Sequence, residues 1–175
     1  MANGSLASVL ISLGSNLGNR EAMLREALHL LLAENLSEPR LSSVYETPPW
    51  GFNHPNAFLN LCLSANTALG PHQLLEFLMD TEKKLGRFRA EETGYSARTI
   101  DLDIILWDNV IIHSPLLEIP HPRAHLRRFV LMPAAEIEPK RNHPALNKNL
   151  GTLLAECLDK SQIEKLAPLD FKIQK

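Results

Sequence analysis

The sequence predicts an α+β fold, a ferredoxin-like βαββαβ plait in which helices pack on an antiparallel sheet and loops lie over the other face. Two observations predict it. Four apolar or alternating segments have the length of strands, and two segments with apolar residues three and four positions apart have the pattern of helices. At 175 residues the chain fits a single domain. We expect that domain over residues 1–175, with a flexible leader at 1–6 and a flexible tail at 167–175.

The first half of the plait is predicted from apolar runs and one helix cap. Ala7–Gly14 is an apolar run that ends in a glycine turn, as a buried strand does. Asn19 can cap a helix over Arg20–Glu34, because its side chain can accept a hydrogen bond from a free backbone N–H of the first turn. Leu41–Tyr45 predicts a short strand, and the strict alternation in Phe58–Thr67 predicts a longer one.

The second half begins with a proline and follows the same logic. Pro71 fits the first position of a second helix, and Gly86 fits its end. Thr99–Trp107 alternates as a strand does, and Val110–Ile112 predicts a short strand after a turn. Short helices are expected near Phe129–Glu136 and Thr152–Leu158.

The composition excludes several classes of function. A net charge of −2 gives no overall field that would attract nucleic acid or an acidic membrane. The apolar run Val9–Leu13 is too short to be a signal sequence or a membrane span. Cys62 and Cys157 lie in no paired motif, which argues against zinc and redox sites. We expect a cytoplasmic protein, a monomer, with no nucleic-acid partner.

The stretch from Arg98 to Ile104 carries the most information about chemistry. Successive side chains of a strand point to opposite faces, so its apolar residues would enter a core. Asp101 and Asp103 would then stand side by side on the other face, roughly 6.5 Å apart at Cα. Hard oxygen ligands on a rigid strand suit Mg²⁺, which usually shares its ligand shell with substrate phosphates. The alternative is a solvated edge strand whose charges face water.

Cationic residues surround this carboxylate pair in the sequence. Arg87, Arg89 and Arg98 precede it, and His121 and Arg127 follow in a turn-rich segment. Guanidinium groups match phosphate oxygens in paired hydrogen bonds, so together these residues indicate a polyphosphate site. Taken singly, each arginine is more simply a surface charge, and a lone histidine is more often structural.

The segment Leu13–Gly18 is a glycine turn between a strand and a helix, and it allows two interpretations. It is similar to a phosphate cradle, but no Gly-Lys-Ser/Thr follows, and its spacing does not fit the dinucleotide-binding fingerprint. A tight turn followed by a helix cap explains it equally well.

A proline-stiffened loop over residues 47–55 carries Trp50, and an exposed aromatic on a long loop often closes over a flat ligand. Phe58 and Asn60 lie two positions apart on the next strand, so a ring for stacking and an amide for pairing share one face. This combination suits a planar heterocycle. Alternatively, Trp50 packs on the domain, and Glu82 in the second helix is an ordinary solvated charge.

Together these motifs occur in the order typical of one family. The chain resembles the 6-hydroxymethyl-7,8-dihydropterin pyrophosphokinase family of folate biosynthesis over roughly Val9 to Leu158. The motifs that carry the resemblance are Leu13–Gly18, Tyr45–Pro49, Phe58–Asn60, Glu82 with Gly86–Arg89, Arg98–Asp103, and Pro120–Pro122 with Arg127 and Phe129.

The resemblance implies a Mg²⁺-dependent transfer of a pyrophosphoryl group from ATP to 6-hydroxymethyl-7,8-dihydropterin, with release of AMP. It implies that Asp101 and Asp103 hold two Mg²⁺ ions and that Arg87 and Arg98 act in catalysis with them. The ATP-binding residues would be Glu82, Arg87, Arg89, Arg98, Ile104, Leu117, Glu118, His121 and Arg127. The pterin-binding residues would be Thr47, Pro48, Trp50, Phe58, Asn60 and Phe129.

Departures from the family pattern concern the segment between Arg89 and Arg98, where Ala90 and Tyr95 stand in place of a lysine and a tryptophan found in some members.

Two other classes of function use parts of the same pattern. A metal-dependent nuclease or phosphatase would need a water-activating group and an open groove. An RNA-binding plait would need stacked aromatics and a basic face, whereas this chain has 6% aromatics.

Overall fold

The computed structural model describes residues 6–48, 56–87 and 98–172. The helices are α1 (Arg20–Glu34), α2 (Pro71–Lys84), α3 (Arg128–Ile137) and α4 (Leu150–Glu156), with a short 3-10 helix at Ala124–Leu126. The longer strands are β1 (Ala7–Ser15), β2 (Ser37–Leu41), β3 (Ser43–Thr47), β4 (Phe58–Thr67), β5 (Asp101–Trp107) and β10 (Glu164–Pro168). The two-residue strands are β6 (Ile112–His113), β7 (Glu118–Ile119), β8 (Asn142–His143) and β9 (Lys148–Asn149).

The main sheet is antiparallel, and its strand order is β10-β3-β4-β1-β5, with β2 also paired to β4. Without β10, this is the strand order of a ferredoxin-like plait, in which each helix connects strands of the same sheet. The predicted fold class is therefore confirmed. The predicted helices at 20–34, 129–136 and 152–158 are confirmed to within two residues at each end.

The predicted strand Leu41–Tyr45 is wrong in its bounds, because two strands meet there. Leu41 pairs with Leu63 and Tyr45 with Asn60, so one extra residue lies on this side of the ladder. That residue is Ser42, whose hydroxyl accepts a hydrogen bond from the Cys62 N–H at 2.9 Å. A bulge of this kind bends the strand and ends one pairing register where the next begins. The short strand expected at Val110–Ile112 similarly lies two residues later, in β6, because Asp108 and its neighbours form a longer turn.

The two faces of the sheet carry separate apolar cores. On the first face, α1 and α2 pack on the sheet, and the core between them includes Leu24, Leu28, Leu61, Leu63 and Leu78. The second face was expected to carry only loops or a site. Instead α3 and α4 cover part of it, over Leu10, Cys62, Ile105 and Leu106. The end of this face that α3 leaves uncovered is the place where the polar residues of β1, β4 and β5 lie.

The C-terminal segment is packed on the domain as far as Phe171. Strand β10 pairs with β3, the Phe171 ring lies 4.7 Å from the His29 ring, and the Asp170 carbonyl accepts a hydrogen bond from Arg25 Nε at 3.1 Å. The tail expected at 167–175 therefore begins inside a strand. Within the described ranges, no helix is both long and apolar enough to cross a membrane.

Candidate active site

Strand register brings the polar residues of the second face into two rows. Gly14 of β1 pairs with Asn60 of β4 on one side and with Asp101 of β5 on the other. Ser12 pairs with Asp103 in the next row. Directly opposed residues share a face of the sheet, so a hydrogen-bonding amide and two carboxylates lie on one surface only a strand apart.

These rows form the floor of a cavity of about 250 Å³, measured over the described residues. Its rim comes from the segment before β5, the turn around the 3-10 helix, and the start of α3. Most of the described residues predicted for the site line it: Thr47, Pro48, Phe58, Asn60, Arg87, Arg98, Asp101, Asp103, His121, Arg127 and Phe129. Trp50 and Arg89, together with Ala90 and Tyr95, lie outside the described residues.

Asp101 is the acceptor for two of the arginines. Arg87 Nη1 donates to its Oδ1 at 2.6 Å, and Arg98 Nη1 donates to its Oδ2 at 2.7 Å. Burial alone would lower the pKa of Arg87, but the carboxylates of Asp101 and Glu82 outweigh burial and raise it. The Arg87 guanidinium is therefore charged, and the bonds to Asp101 fix the direction of both guanidinium groups beside the strand that carries the carboxylate pair.

Glu82 is buried, so the alternative interpretation of an ordinary solvated charge is wrong, and its role in ATP binding stays a prediction. Its side chain is 2% exposed, and its Oε1 accepts hydrogen bonds from Arg87 and from the Leu102 backbone N–H, the latter at 2.8 Å. Leu102 lies between the two aspartates, so Glu82 links the end of α2 to the middle of the carboxylate pair. It does not line the cavity.

Asp103 is held in an unfavourable electrostatic setting. Burial, followed by the nearby carboxylates of Asp101 and Glu82, raises its pKa from 3.8 to about 7, although Arg127 and Arg87 act in the opposite direction. A cation beside the two aspartates would relieve this repulsion. The carboxylate pair therefore fits a divalent ion.

The donor set also indicates which kind of ion fits. Among the described residues, no group of three or more His, Cys, Asp or Glu side chains converges on one point. The protein thus offers a pair of carboxylates and no complete cage. This is the arrangement that Mg²⁺ uses when phosphates and water supply its other ligands.

His121 is oriented by backbone hydrogen bonds on both sides. Its N–H donates to the Ile105 carbonyl at 3.0 Å, and its ring Nδ1 accepts from the Arg123 N–H at 3.1 Å. Burial, with the charges of Arg127 and Arg123, lowers its pKa to about 4. At neutral pH the ring is therefore uncharged, and because Nδ1 is an acceptor, the ring proton is assigned to Nε2.

The other end of the cavity combines an amide with aromatic rings. Asn60 is 3% exposed, and its Nδ2 donates to Thr47 Oγ1 at 2.8 Å, so the amide is fixed and its oxygen faces β1. A Cβ at Gly14 would lie 2.9 Å from Asn60 Oδ1, so this position needs a glycine. The Arg127 guanidinium lies 5.7 Å from the centre of the Phe129 ring.

Besides Glu82, three further predicted ATP-binding residues do not line the cavity. Ile104 is buried in the core under α1 and α2. Leu117 has its N–H and its carbonyl bonded to Ser114, and Glu118 lies in the β6–β7 hairpin. Their contacts with adenine remain predictions.

The structure also adds lining residues that sequence reasoning missed, namely Ser12, Ile105, Arg123 and Val130. The available signal for Ser12 was its spacing of two from Gly14 on β1, which puts both residues on one face. Arg123 could have been found by its position two residues after His121. Ile105 and Val130 have no such signal, because they are apolar residues whose place depends on the packing of α3.

Comparison with known proteins identifies the family. A family model described as 7,8-dihydro-6-hydroxymethylpterin-pyrophosphokinase (HPPK) matches residues 10–139. The chain belongs to this family. The 2-amino-4-hydroxy-6-hydroxymethyldihydropteridine pyrophosphokinase of Aquifex aeolicus is 39% identical over 145 residues, which cover 83% of this chain and 89% of that protein. The protein of the same name from Bacillus subtilis is 44% identical over 128 residues, covering 73% of this chain and 75% of that one.

Solved structures show the same fold at much lower identity. Wild-type HPPK-DHPS of Plasmodium falciparum with SDX-DHP superimposes with a TM-score of 0.70 at 15% identity. The match covers 87% of this chain and 44% of that one, so this chain spans less than half of the Plasmodium protein. The likeness supports the fold.

Membership in the HPPK family also gives the activity. The chain is an enzyme, a diphosphotransferase of folate biosynthesis that transfers pyrophosphate from ATP to hydroxymethyldihydropterin. A nuclease and an RNA-binding plait, the two other classes compatible with parts of the sequence pattern, are thereby excluded as its main function.

Proposed function

We propose that the cavity over β1, β4 and β5 is where this pyrophosphokinase brings 6-hydroxymethyl-7,8-dihydropterin and Mg²⁺–ATP together, and that AMP is the leaving group. One observation carries the proposal: a single cavity joins an amide and aromatic rings at one end to a carboxylate pair with arginines at the other. A flat heterocycle that carries a hydroxymethyl group can therefore lie against one end while its oxygen points toward the other.

The pterin would lie between Phe58 and Phe129, with its ring edge toward Asn60. The Asn60 amide nitrogen donates a hydrogen bond to the Thr47 hydroxyl, and Oδ1 would accept a hydrogen bond from a ring N–H. Pro48 and Trp50 complete the proposed pocket. Because the Asn60 side chain is buried and fixed, little conformational freedom is lost when the ring binds.

The triphosphate would lie along the cationic end. Two Mg²⁺ ions held between Asp101, Asp103 and the phosphates would neutralise phosphate oxygens and lower the pKa of the attacking hydroxyl. Arg87, Arg98 and Arg127 would bind the phosphate oxygens, with Arg89 beside them. Charge that develops toward the α-phosphate in the transition state is then met by groups already in place.

His121 and Glu82 would act at the edge of this site in different ways. The neutral His121 ring can donate from Nε2 to a phosphate oxygen without adding charge. Glu82 is a positioning residue in this scheme, since it holds Arg87 and the Leu102 N–H and does not line the cavity. We further propose that the enzyme acts in the cytoplasm as a monomer; light scattering after gel filtration tests the monomer.

The test is incubation with ATP, Mg²⁺ and the reduced pterin alcohol, with nucleotide products separated by ion-exchange chromatography. We expect AMP to form in step with pterin diphosphate, and no AMP when the pterin is omitted. The matched control is Asp101→Asn, which keeps the shape of the side chain and loses a metal ligand. Formation of ADP in place of AMP would contradict the proposed transfer.

A further inference from the structure

Asn16 is completely buried at the end of β1, yet it does not line the cavity. It bonds to Arg98 from two sides. The Asn16 N–H donates to the Arg98 carbonyl at 3.2 Å, and the Arg98 N–H donates to Asn16 Oδ1 at 2.7 Å. This closed pair of bonds fixes the backbone of Arg98 before β5 begins, and the Arg98 guanidinium then reaches Asp101.

The same asparagine is joined to the pterin side of the cavity. Its carbonyl accepts a hydrogen bond from Asn56 Nδ2 at 3.3 Å, and Asn56 lies two residues before Phe58. Ser15 reinforces the other connection, because its hydroxyl donates to the Thr99 carbonyl at 2.5 Å. One buried residue thus connects the segment that leads into the pterin strand with the segment that leads into the aspartate strand.

Within the part of the chain that the structure describes, the oxygen and the nitrogen of the Asn16 amide differ in their contacts. Its Nδ2 is buried with no hydrogen-bond partner among the described residues. A buried donor without a partner lowers stability, so a side chain kept only to stabilise the fold would not need this amide. The side-chain oxygen, which holds Arg98, is the part that the geometry uses.

We propose that Asn16 is a positioning residue for pyrophosphoryl transfer: it sets the backbone of Arg98 and couples the pterin side of the cavity to the ATP side. The inference rests on the proposed function of the cavity. Asn16 touches neither substrate and acts through Arg98 and Asn56. Small displacements of a positioned group can lower the rate of transfer strongly, so its effect should appear in kcat.

The test is a double-mutant cycle with Asn16→Ala, Arg98→Ala and the double variant, with initial rates of AMP formation as the readout. We expect Asn16→Ala to lower kcat by about 10- to 100-fold. In the Arg98→Ala background it should lower kcat by less than about 3-fold, because the group through which it acts is gone. The matched control is Asn19→Ala, which removes the cap of α1 three residues away and should change Tm but not kcat.

A second measurement examines the coupling and does not need Asn16→Ala to fold well. Asn56 is exposed, so Asn56→Ala should remain folded. Titration calorimetry with an α,β-methylene analogue of ATP and Mg²⁺ measures pterin affinity with and without the nucleotide. We expect the analogue to tighten pterin binding at least about 5-fold in the wild type and by less than about 2-fold in Asn56→Ala.

Three outcomes are decisive. If the losses of Asn16→Ala and Arg98→Ala multiply in the double variant, or if Asn16→Ala behaves as Asn19→Ala does, Asn16 is only structural. If the nucleotide analogue tightens pterin binding as much in Asn56→Ala as in the wild type, the proposal that Asn16 couples the two sides of the cavity is wrong. If the wild type makes no AMP, the proposed function fails first, which separates that failure from failure of the inference.

Discussion

Replacement of Asp103 by asparagine should stabilise the metal-free protein while abolishing transfer. The reason is the setting of this carboxylate, in which burial and two neighbouring carboxylates raise its pKa from 3.8 to about 7. Without metal, the ionised Asp103 therefore destabilises the folded protein. With metal bound, the same carboxylate is a proposed metal ligand. Asparagine keeps the shape of the side chain and removes the charge.

The sign and size of the effect follow from proton binding. Between about pH 4 and pH 7 the folded protein keeps a proton on Asp103 that the unfolded chain has released, so the free energy of unfolding falls as pH rises. Above about pH 7 the carboxylate is ionised in both states. The difference between its pKa in the unfolded chain, 3.8, and in the folded protein, about 7, then opposes folding by about 4 kcal/mol. Because the amide must also be desolvated, we expect Asp103→Asn to recover about 1–3 kcal/mol of this.

The assay is thermal unfolding in EDTA across pH 5.5 to 8, followed by circular dichroism. At pH 8 the Tm of Asp103→Asn should exceed that of the wild type by about 3–10 °C, and the gap should narrow toward pH 5.5. The matched variant is Asp101→Asn, whose carboxylate accepts from Arg87 and Arg98. It should lower Tm at pH 8 because it removes two charge-assisted hydrogen bonds. Both variants should lack activity at saturating Mg²⁺.

The result that refutes this reasoning is a Tm for Asp103→Asn at pH 8 in EDTA that equals or falls below the wild-type value. Near-normal turnover in either variant would separately exclude the proposed metal site. The two readouts are independent, since stability reports the metal-free protein and turnover reports the loaded one.

Three further predictions follow from the site. Label in the β- and γ-phosphates of ATP should appear in the pterin product in equal amounts, and α-label should stay with AMP; release of γ-label alone would contradict attack at the β-phosphorus. Pterin should bind more tightly, by about 1–3 kcal/mol, once Mg²⁺ and the methylene analogue are bound, and equal affinities by calorimetry would exclude this coupling. Because the pKa of His121 is lowered to about 4, the pH profile of kcat/KM between pH 5.5 and 8 should keep its shape in His121→Gln, and a limb near pH 6.5 that disappears in this variant would show that the ring titrates.

The sequence pattern predicted those parts of the fold that depend on local periodicity. Alternation in Phe58–Thr67 and around Asp101 correctly assigned one set of apolar residues to the core under α1 and α2, because a strand has a fixed two-residue period: Leu59, Leu61, Leu63, Leu102 and Ile104. The bulge at Ser42 could not be predicted in this way, since it arises from the difference between two pairing registers with β4. The pairing of β10 with β3 likewise depends on which edge of the sheet remains open after the rest has folded.

For the site, the sequence predicted most of the described residues that line the cavity, but their burial and contacts depend on packing. Glu82 has the helical position of a solvated charge, and only the packing of α2 against β5 shows that it is buried against Arg87. Asn16 belongs to a glycine turn that allowed either a phosphate cradle or a simple turn. Its bonds to Arg98 fit neither interpretation alone. Asn16 bonds to the backbone of Arg98, which is itself a proposed phosphate-binding residue.

The ion pairs of Asp101 also constrain how substrate would bind under the proposed function. Arg87 and Arg98 both donate to Asp101, so neither can turn fully to a phosphate while Asp101 depends on them for its charge balance. A cation that arrived with the triphosphate would resolve this, because Asp101 would hold the cation while Arg87 and Arg98 would bind phosphate oxygens. Glu82 is buried and bonded to the strand, so it can hold Arg87 in place throughout the exchange. Such an exchange would require metal and nucleotide together, and for this reason we expect the pterin to bind tightly only after both.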